Sequence, residues 1–226
     1  MNELNRQAHW QKVYKDKGEK QVSWFQEKPA ISLELIDGVG AKSNSAIIDI
    51  GGGASRLVDV LVSEGYRDLT VLDLSDDAIA IARSRLAERA GLVKWIVTDV
   101  TEWEPSRHYD LWHDRAAFHF LTEAADRAAY FDRLMQVIRP GGHVIIATFA
   151  IDGPERCSGL PVIRYDATLL SAAFGRAFAL IGTRRHDHTT PTGGVQQFFR
   201  RVQARLISIL QRASFTLRPA PGRDRQ

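Results

Sequence analysis

Cysteine is almost absent from this sequence: Cys157 is the one cysteine among 226 residues. A single thiol excludes an intramolecular disulfide, and such usage predicts a reducing, cytoplasmic location. Apolar runs of the ~20 residues that span a bilayer are also lacking, and we expect no signal peptide in the polar N-terminal stretch. Hydrophobic residues still make up 44% of the chain and charged residues 25%, which predicts a globular domain with a sizeable core.

Two nucleotide-binding motifs are missing from the glycine-rich stretch SAIIDIGGGASRLVDVL, residues 45–61. The Gly-Lys-Ser/Thr ending of a phosphate-binding P-loop does not occur there. The dinucleotide fingerprint requires a third glycine for close packing of helix on strand, and Arg56 stands at that position. An NAD(P)-binding oxidoreductase therefore stays an alternative with weak support from the motif.

Positive charge is concentrated toward the C-terminus. The formal net charge is +3, but the stretch from Arg184 onward holds nine arginines against two acids. A basic region of this kind would suit an anionic partner such as RNA, although no aromatic recognition motif accompanies it. Residues 213–226 are rich in proline, glycine and arginine, and we expect them to form a basic, disordered tail.

Short β-branched runs alternate with helical patterns along the chain. Strands are predicted at residues 46–50, 69–74, 93–100, 109–114, 143–150, 178–186 and 195–206. Helices are predicted at residues 55–63, 75–90, 124–138 and 166–174. This alternation predicts right-handed βαβ units and an α/β fold with a doubly wound, mostly parallel sheet of seven strands.

Polar residues stand at the ends of four predicted strands. They are Asp49, Gly51 and Gly53 after the first strand, Asp73 after the second, Asp99 after the third, and His113 and Asp114 after the fourth. Ligands of parallel sheets bind outside the carboxyl ends of the strands. Acids are costly to place together on a buried rim unless a ligand or solvent satisfies them. The pattern predicts a site for a positively charged nucleoside at this edge.

These residues occur in the order and spacing of a known enzyme family. The matching positions are Asp49, Gly51 and Gly53 in the glycine motif, Asp73 and Asp99 after the next two strands, YDLWHDRAAFHFL at the fourth, and Pro140–Gly142 before the fifth. Residues 45–150 thereby resemble the class I S-adenosylmethionine-dependent methyltransferases. The resemblance implies a Rossmann-like sheet whose last strand is antiparallel, a methyltransferase domain over residues 41–212, and S-adenosyl-L-methionine as cofactor.

The resemblance also implies a role for each strand-end residue. Asp49 would lie near the methionine ammonium, Asp73 would bind the ribose hydroxyls, and Asp99 would accept from the adenine amino group. The implied cofactor-binding residues are Asp49, Gly51, Gly53, Asp73, Leu74, Asp99, Val100 and Asp114. No metal is predicted, since the His186 and His188 pair lacks a third ligand at suitable spacing.

Methyl transfer from a sulfonium is an in-line displacement, to which alignment and desolvation contribute most of the acceleration. A general base is required only where the nucleophile arrives protonated. The candidate bases are His113, Asp114 and His119, which lie at the end of the fourth strand or shortly after it. A histidine can accept a proton near neutral pH, and the environment of an aspartate can shift its pKa toward that range.

The methyl acceptor is predicted from the segment before the first strand. Residues 1–40 carry Trp10, Tyr14, Trp24 and Phe25 and are predicted to form a helical lid over cofactor and acceptor. This segment is similar to methyltransferases of protein lysines and of thiols, whereas HDRAAFHFL differs from the Asp-Lys-Gly run of the lysine subgroup. A small molecule or a protein side chain is the predicted acceptor, with no membrane partner. RNA, and a catalytically silent S-adenosylmethionine-binding module, are the alternatives.

Overall fold

A computed structural model describes residues 3–205. The helices are α1 (Glu3–Gln21), α2 (Ala30–Gly38), α3 (Leu57–Ser63), α4 (Asp76–Leu86), α5 (Ala124–Val137) and α6 (Ala167–Phe174). The strands are β1 (Ala46–Ile50), β2 (Asp68–Asp73), β3 (Val93–Val97), β4 (Tyr109–Arg115), β5 (Ile138–Phe149), β6 (Arg156–Cys157), β7 (Leu160–Pro161), β8 (Phe178–Thr189) and β9 (Val195–Arg205). The tail predicted at residues 213–226 lies outside the described residues.

Seven strands form the main sheet, in the order β3-β2-β1-β4-β5-β9-β8. Strands β1 to β5 are parallel, and β9 runs antiparallel to both β5 and β8. The predicted mostly parallel, seven-stranded sheet with an antiparallel last strand is confirmed. Because the strand order reverses between β1 and β4, the crevice at their carboxyl ends is where such a sheet binds a ligand.

Four elements differ by three residues or more from the prediction: α4, β5, β3, which ends at Val97 and not at Val100, and β8, which ends at Thr189 and not at His186. Helix α4 ends at Leu86 and not at Ala90, because Ala87 adopts a positive φ of 51° and a 3₁₀ turn follows it. Strand β5 begins at Ile138, ahead of the Pro-Gly-Gly turn, because an irregularity in its pairing with β4 accommodates the turn. The differences in α4 and β5 leave the carboxyl ends of β1, β2 and β4 in place, whereas the earlier end of β3 places Asp99 in the loop after that strand.

Hydrophobic cores cover both faces of the sheet. Trp112 and Tyr130 are fully buried in the core under α5, and Leu57 and Leu61 belong to the core under α2 and α3. All five residues of β1 are buried, as expected for a central parallel strand covered on both sides. This packing fixes the height at which each strand ends, and therefore the position of the side chains that follow.

Helix α1 is fastened to the rest of the domain by ion pairs. Glu19 binds the guanidinium groups of Arg56 and Arg85, and Arg85 also binds Asp59 of α3 at 2.6 Å. These side chains are largely buried, so the network is less screened by salt than an exposed one. No helix within residues 3–205 combines the length and the apolar character that crossing a membrane requires.

Candidate active site

A cavity lies where the carboxyl ends of β1, β2 and β4 meet α1, with about 1060 Å³ of empty space. Among the sequence-predicted cofactor residues, those lining it are Asp49, Gly51, Asp73, Leu74, Asp99 and Val100. The structure therefore brings the acids after β1, β2 and β3 into one cavity.

The turn after β1 presents bare backbone to this cavity. Gly51 and Gly53 have positive φ angles of 63° and 29°, which side chains rarely adopt. A Cβ on Gly51 would lie 2.7 Å from the Cβ of Ala117, and one on Gly53 would lie 2.6 Å from Oδ2 of Asp73. Gly53 is not among the lining residues; it backs Asp73, and its missing side chain leaves that carboxylate in place.

Asp73 is a buried carboxylate with acceptor capacity to spare. It is 8% exposed, and its Oδ1 accepts the backbone N–H of Ser75 at 2.8 Å. Burial raises its pKa to about 7, and the nearby Asp49 charge adds to the rise, against backbone N–H groups that lower it. Within residues 3–205 no cation pairs with it. Hydrogen-bond donors such as ribose hydroxyls fit this carboxylate.

Asp99 is held from two sides. Its Oδ1 accepts from the backbone N–H and the hydroxyl of Thr101, at 2.9 and 2.8 Å. Its Oδ2 lies 2.9 Å from the guanidinium of Arg6, which also binds Asp126 at 2.7 Å. Arg6 thus closes one corner of the cavity from α1. No local sequence pattern predicts this contact, since the two partners lie far apart along the chain.

A directional chain of hydrogen bonds runs through His113. Arg200 donates to Oγ of Ser32 at 3.1 Å, Ser32 lies 3.0 Å from Nε2 of His113, and Nδ1 of His113 lies 2.6 Å from Oδ1 of Asp49. Because an arginine can only donate, the Ser32 hydroxyl is free to donate to Nε2, and Nδ1–H then donates to Asp49. His113 lines the cavity and orients the Asp49 carboxylate.

Asp114 and His119 do not line the cavity. Successive side chains alternate across a strand, so Asp114 points to the α5 face, opposite to His113. There Asp114 accepts from Tyr130 OH at 2.8 Å and from the backbone N–H of Ala117 at 2.9 Å, and burial raises its pKa to about 6. This placement gives no contact for the cofactor and catalytic roles predicted for Asp114.

His119 lies between aromatic rings beside the cavity. It is fully buried, with ring centroids 4.5 Å from Phe120 and 4.7 Å from Phe149. Its Nδ1 accepts the backbone N–H of Phe149 at 3.3 Å, and burial lowers its pKa to about 3. A neutral, enclosed imidazole of this kind packs the core, and it has no path to an acceptor for the predicted role as a base.

The remaining part of the cavity has aromatic walls. Its lining includes five aromatic side chains: Trp10, Trp24, Phe120, Phe149 and Phe198. Trp10 packs edge-on against two of them, with ring centroids 5.6 Å from Trp24 and 4.9 Å from Phe120. Trp10, Tyr14 and Trp24 of the predicted lid thus reach the cavity, whereas Phe25 lies outside it beneath Arg56.

Arg115 is the charged side chain of this aromatic part. Its guanidinium donates to the backbone carbonyl of Trp24 at 2.9 Å. The sequence analysis did not select Arg115, although alternation along β4 places it on the same face as His113. Among the described residues, no three His, Cys, Asp or Glu side chains are grouped to hold a metal ion.

Comparisons with known proteins agree with the fold and the glycine motif. A family model described as "Methyltransferase domain" matches residues 47–142. Malonyl-[acyl-carrier protein] O-methyltransferase 2 of Ilyobacter polytropus is 26% identical over 107 residues, 47% of this chain and 40% of that protein. An eEF1A lysine and N-terminal methyltransferase homolog of Drosophila melanogaster is 27% identical over 146 residues, 61% of this chain and 21% of that protein. The chain thus spans less than half of either relative's length.

A solved structure extends the comparison of folds. The N-methyltransferase NodS from Bradyrhizobium japonicum, in complex with S-adenosyl-L-homocysteine, superposes with a TM-score of 0.66 at 17% identity. The superposition covers 86% of this chain and 97% of that one. The superposition therefore extends beyond the residues that the family model matches.

Proposed function

We propose that this chain, which belongs to the class I S-adenosylmethionine-dependent methyltransferases, transfers a methyl group from S-adenosyl-L-methionine to a small-molecule acceptor. The predicted family and cofactor are confirmed by the family model and the relatives. The observation that carries the proposed acceptor is the cavity itself. It joins the strand-end acids to an aromatic compartment roofed by α1, and Trp10, Tyr14 and Trp24 line it.

The residues present fit the cofactor. Asp73 has spare acceptor capacity for two ribose hydroxyls, and the turn at Gly51 exposes backbone where a Cβ would clash. We assign Asp99, with Val100 beside it, to the adenine, and Asp49 to the methionine ammonium. Leu74 supplies apolar contact to the purine. Arg6 then serves as a clamp on Asp99 that closes α1 over the bound nucleoside.

The proposed mechanism relies on alignment and exclusion of water. When bound, the cofactor supplies an electrophilic methyl group on a sulfonium. Asp49, oriented by His113, fixes the amino-acid end of the cofactor, while the aromatic side chains around Trp10 and Phe149 keep water from the acceptor. Removing water strengthens the electrostatic contacts inside the site and lets a desolvated nucleophile approach. We assign His113 a positioning role, since both of its ring nitrogens are engaged.

A small acceptor is favoured over a lysine side chain or RNA. The aromatic compartment lies beneath α1 and holds the cation of Arg115, which would repel a lysine ammonium. RNA would need an open, basic groove, whereas three carboxylates and two arginines line this cavity, and one of the arginines, Arg6, is paired with Asp99. The relatives named above include O-methyl and lysine methyl transferases, so their names alone do not choose an acceptor.

Two titrations and one labelling experiment test the proposal. In calorimetry, S-adenosylhomocysteine is expected to bind to the purified chain and NADH is expected not to bind. Binding of NADH alone would make the chain a dinucleotide-binding protein and refute the proposal. A catalytically silent module would bind S-adenosylhomocysteine but would transfer no label in the second experiment.

In that experiment, the chain is incubated with cell extract and S-adenosylmethionine labelled in the methyl group. We expect label in the small-molecule fraction. Label found in protein or in RNA instead would reject the small acceptor while keeping the methyltransferase. A chain with Gly53→Ala is the control, because the added Cβ displaces Asp73 and should reduce labelling when the donor concentration is below the wild-type Kd. The cytoplasmic location predicted from cysteine usage stays a prediction.

A further inference from the structure

We infer that the methyl acceptor is an aromatic carboxylate, whose negatively charged group is bound by Arg115 in the aromatic compartment of the cavity. The compartment is defined by Trp10, Trp24, Phe120, Phe149 and Phe198. The inference rests on the proposed function, because that function makes this compartment the acceptor site. It adds the charge and the chemical class of the molecule bound there.

Arg115 is a buried cation without a carboxylate partner among the described residues. Its guanidinium lines the cavity and donates to the backbone carbonyl of Trp24. No carboxylate within residues 3–205 forms an ion pair with it, since the nearby Asp49 is bound to His113 instead. Burial lowers the pKa of Arg115, with the Asp49 charge opposing. A cation removed from water is costly unless it is paired, and a planar carboxylate is the partner that matches a guanidinium in two hydrogen bonds.

A second arginine, Arg200, lies on the same face of the sheet as Arg115. Ala147 of β5 pairs with Arg115 of β4 on one side and with Arg200 of β9 on the other. Arg200 is 1% exposed, and its Nε has no hydrogen-bond partner within residues 3–205. Burial, together with the charge of Arg115, lowers the pKa of Arg200 to about 9. Two buried cations that repel each other leave a positive potential here, which an anion would neutralise.

The walls of the compartment combine aromatic rings with one polar group. Trp24, Phe149 and Phe198 line the same cavity as Arg115, and aromatic rings bind a flat apolar body by edge and stacking contacts. Gln196 also lines the cavity, and its Oε1 is buried without a partner among the described residues. This oxygen is a ready acceptor for a hydroxyl or amine on the same molecule. An aromatic acid with a nucleophilic substituent satisfies all three features.

The carboxylate of the methyl donor is a second possible source of the same anion. The strand order favours the acceptor, and not the donor, as the source of the carboxylate that Arg115 binds. Arg115 lies toward β5 and β9, whereas Asp73 and Asp99, which are assigned to the donor, lie on the other side of β1. The charge of Arg115 also lowers the pKa of His188 on β8, at the far edge of the sheet. Both sources are separated in the experiment below.

The experiment titrates 1-naphthoate and its uncharged analogue 1-naphthamide into the wild-type chain saturated with S-adenosylhomocysteine, with calorimetric detection. We expect the acid to bind at least about tenfold more tightly than the amide, as a charge-assisted bidentate pair predicts. In Arg115→Gln the preference should fall to about twofold or less. Arg185→Gln is the matched control, because Arg185 is exposed and paired with Asp152, and it should keep the wild-type preference.

The outcomes separate the inference from the function on which it rests. Failure of S-adenosylhomocysteine to bind the wild type would reject the proposed function. Equal binding of acid and amide to the loaded wild type would overturn the inference alone, and this comparison requires no variant to fold. If Arg115→Gln lost affinity for S-adenosylhomocysteine but not for 5′-methylthioadenosine, which lacks the amino-acid part, Arg115 would bind the donor and the inference would again be overturned.

Discussion

Replacing Asp73 by asparagine should weaken the binding of S-adenosylhomocysteine while leaving the fold intact. The side chain keeps its size, and an amide Oδ1 can still accept the N–H of Ser75, which lies 2.8 Å from the carboxylate. What the variant lacks is a charged acceptor for the two ribose hydroxyls. The affinity of the binding site should therefore fall without a matching loss of helical signal.

The size of the loss follows from the two hydrogen bonds. Hydrogen bonds to a charged group contribute about 1.5–3 kcal/mol each, and neutral ones about half of that. Exchanging the acceptor for an amide should then cost about 1–3 kcal/mol in total, or a roughly 5- to 150-fold rise in Kd. The Asp73 side chain is 8% exposed, so water does little to replace the lost contacts.

The pH dependence gives a second readout with a definite sign. Burial raises the pKa of Asp73 to about 7 in the folded chain, against an ordinary value of 3.8. The folded state therefore favours the protonated form, and this contribution to stability is complete below about pH 4 and lost as the pH rises through 7. The Tm of Asp73→Asn minus that of the wild type should increase between pH 5 and pH 8, by at least about 3 °C.

Calorimetry and thermal melts together test this reasoning. Wild-type affinity for S-adenosylhomocysteine should rise as the pH increases from 6 to 8, because the hydroxyls favour the ionised carboxylate, whereas the affinity of Asp73→Asn should stay constant. Equal affinity of the two chains at pH 8 would refute the placement of the ribose. A difference in Tm that does not change with pH would refute the raised pKa.

Two further variants test the glycine turn and the buried polar network. Gly53→Ala should raise the Kd for S-adenosylhomocysteine at least about tenfold, because its Cβ would lie 2.6 Å from Oδ2 of Asp73. Gly91→Ala is the control in the same calorimetric titration, because its Cβ meets no atom of the described residues within 4 Å. Equal Kd values for the two variants would contradict the prediction. Tyr130→Phe should lower the free energy of unfolding, measured by urea titration, by about 2–4 kcal/mol. The reason is that the fully buried carboxylate of Asp114 loses the Tyr130 hydroxyl that donates to it at 2.8 Å. A change below about 0.5 kcal/mol would show that the hydroxyl is dispensable.

The strand-end acids could be predicted because their positions follow from local pattern. Buried parallel strands are short apolar runs, and a carboxylate directly after such a run lies at the edge of the sheet where ligands bind. Asp49, Asp73 and Asp99 all line the cavity as this rule requires. The same rule places Asp114 of β4 at the cavity, but in the structure Asp114 faces α5 and does not line the cavity.

The residues that the sequence analysis missed are those brought in by tertiary structure. Arg6 reaches Asp99 from a helix 93 positions earlier in the chain. Arg115 and Arg200 lie on the two strands that flank β5, where both pair with Ala147. No local spacing signals either arrangement. The fourth strand is predicted to end at residue 114, whereas β4 ends at Arg115. With the strand one residue longer, the alternation of side chains places Arg115 on the same face as His113.

A crystal structure of the chain with S-adenosylhomocysteine would test the central claim most directly. The account predicts the ribose hydroxyls within hydrogen-bond distance of the Asp73 carboxylate, the adenine beside Asp99 and Val100, and the sulfur facing the aromatic compartment. Nucleoside density elsewhere on the surface, with Asp73 bonded to protein groups alone, would contradict it.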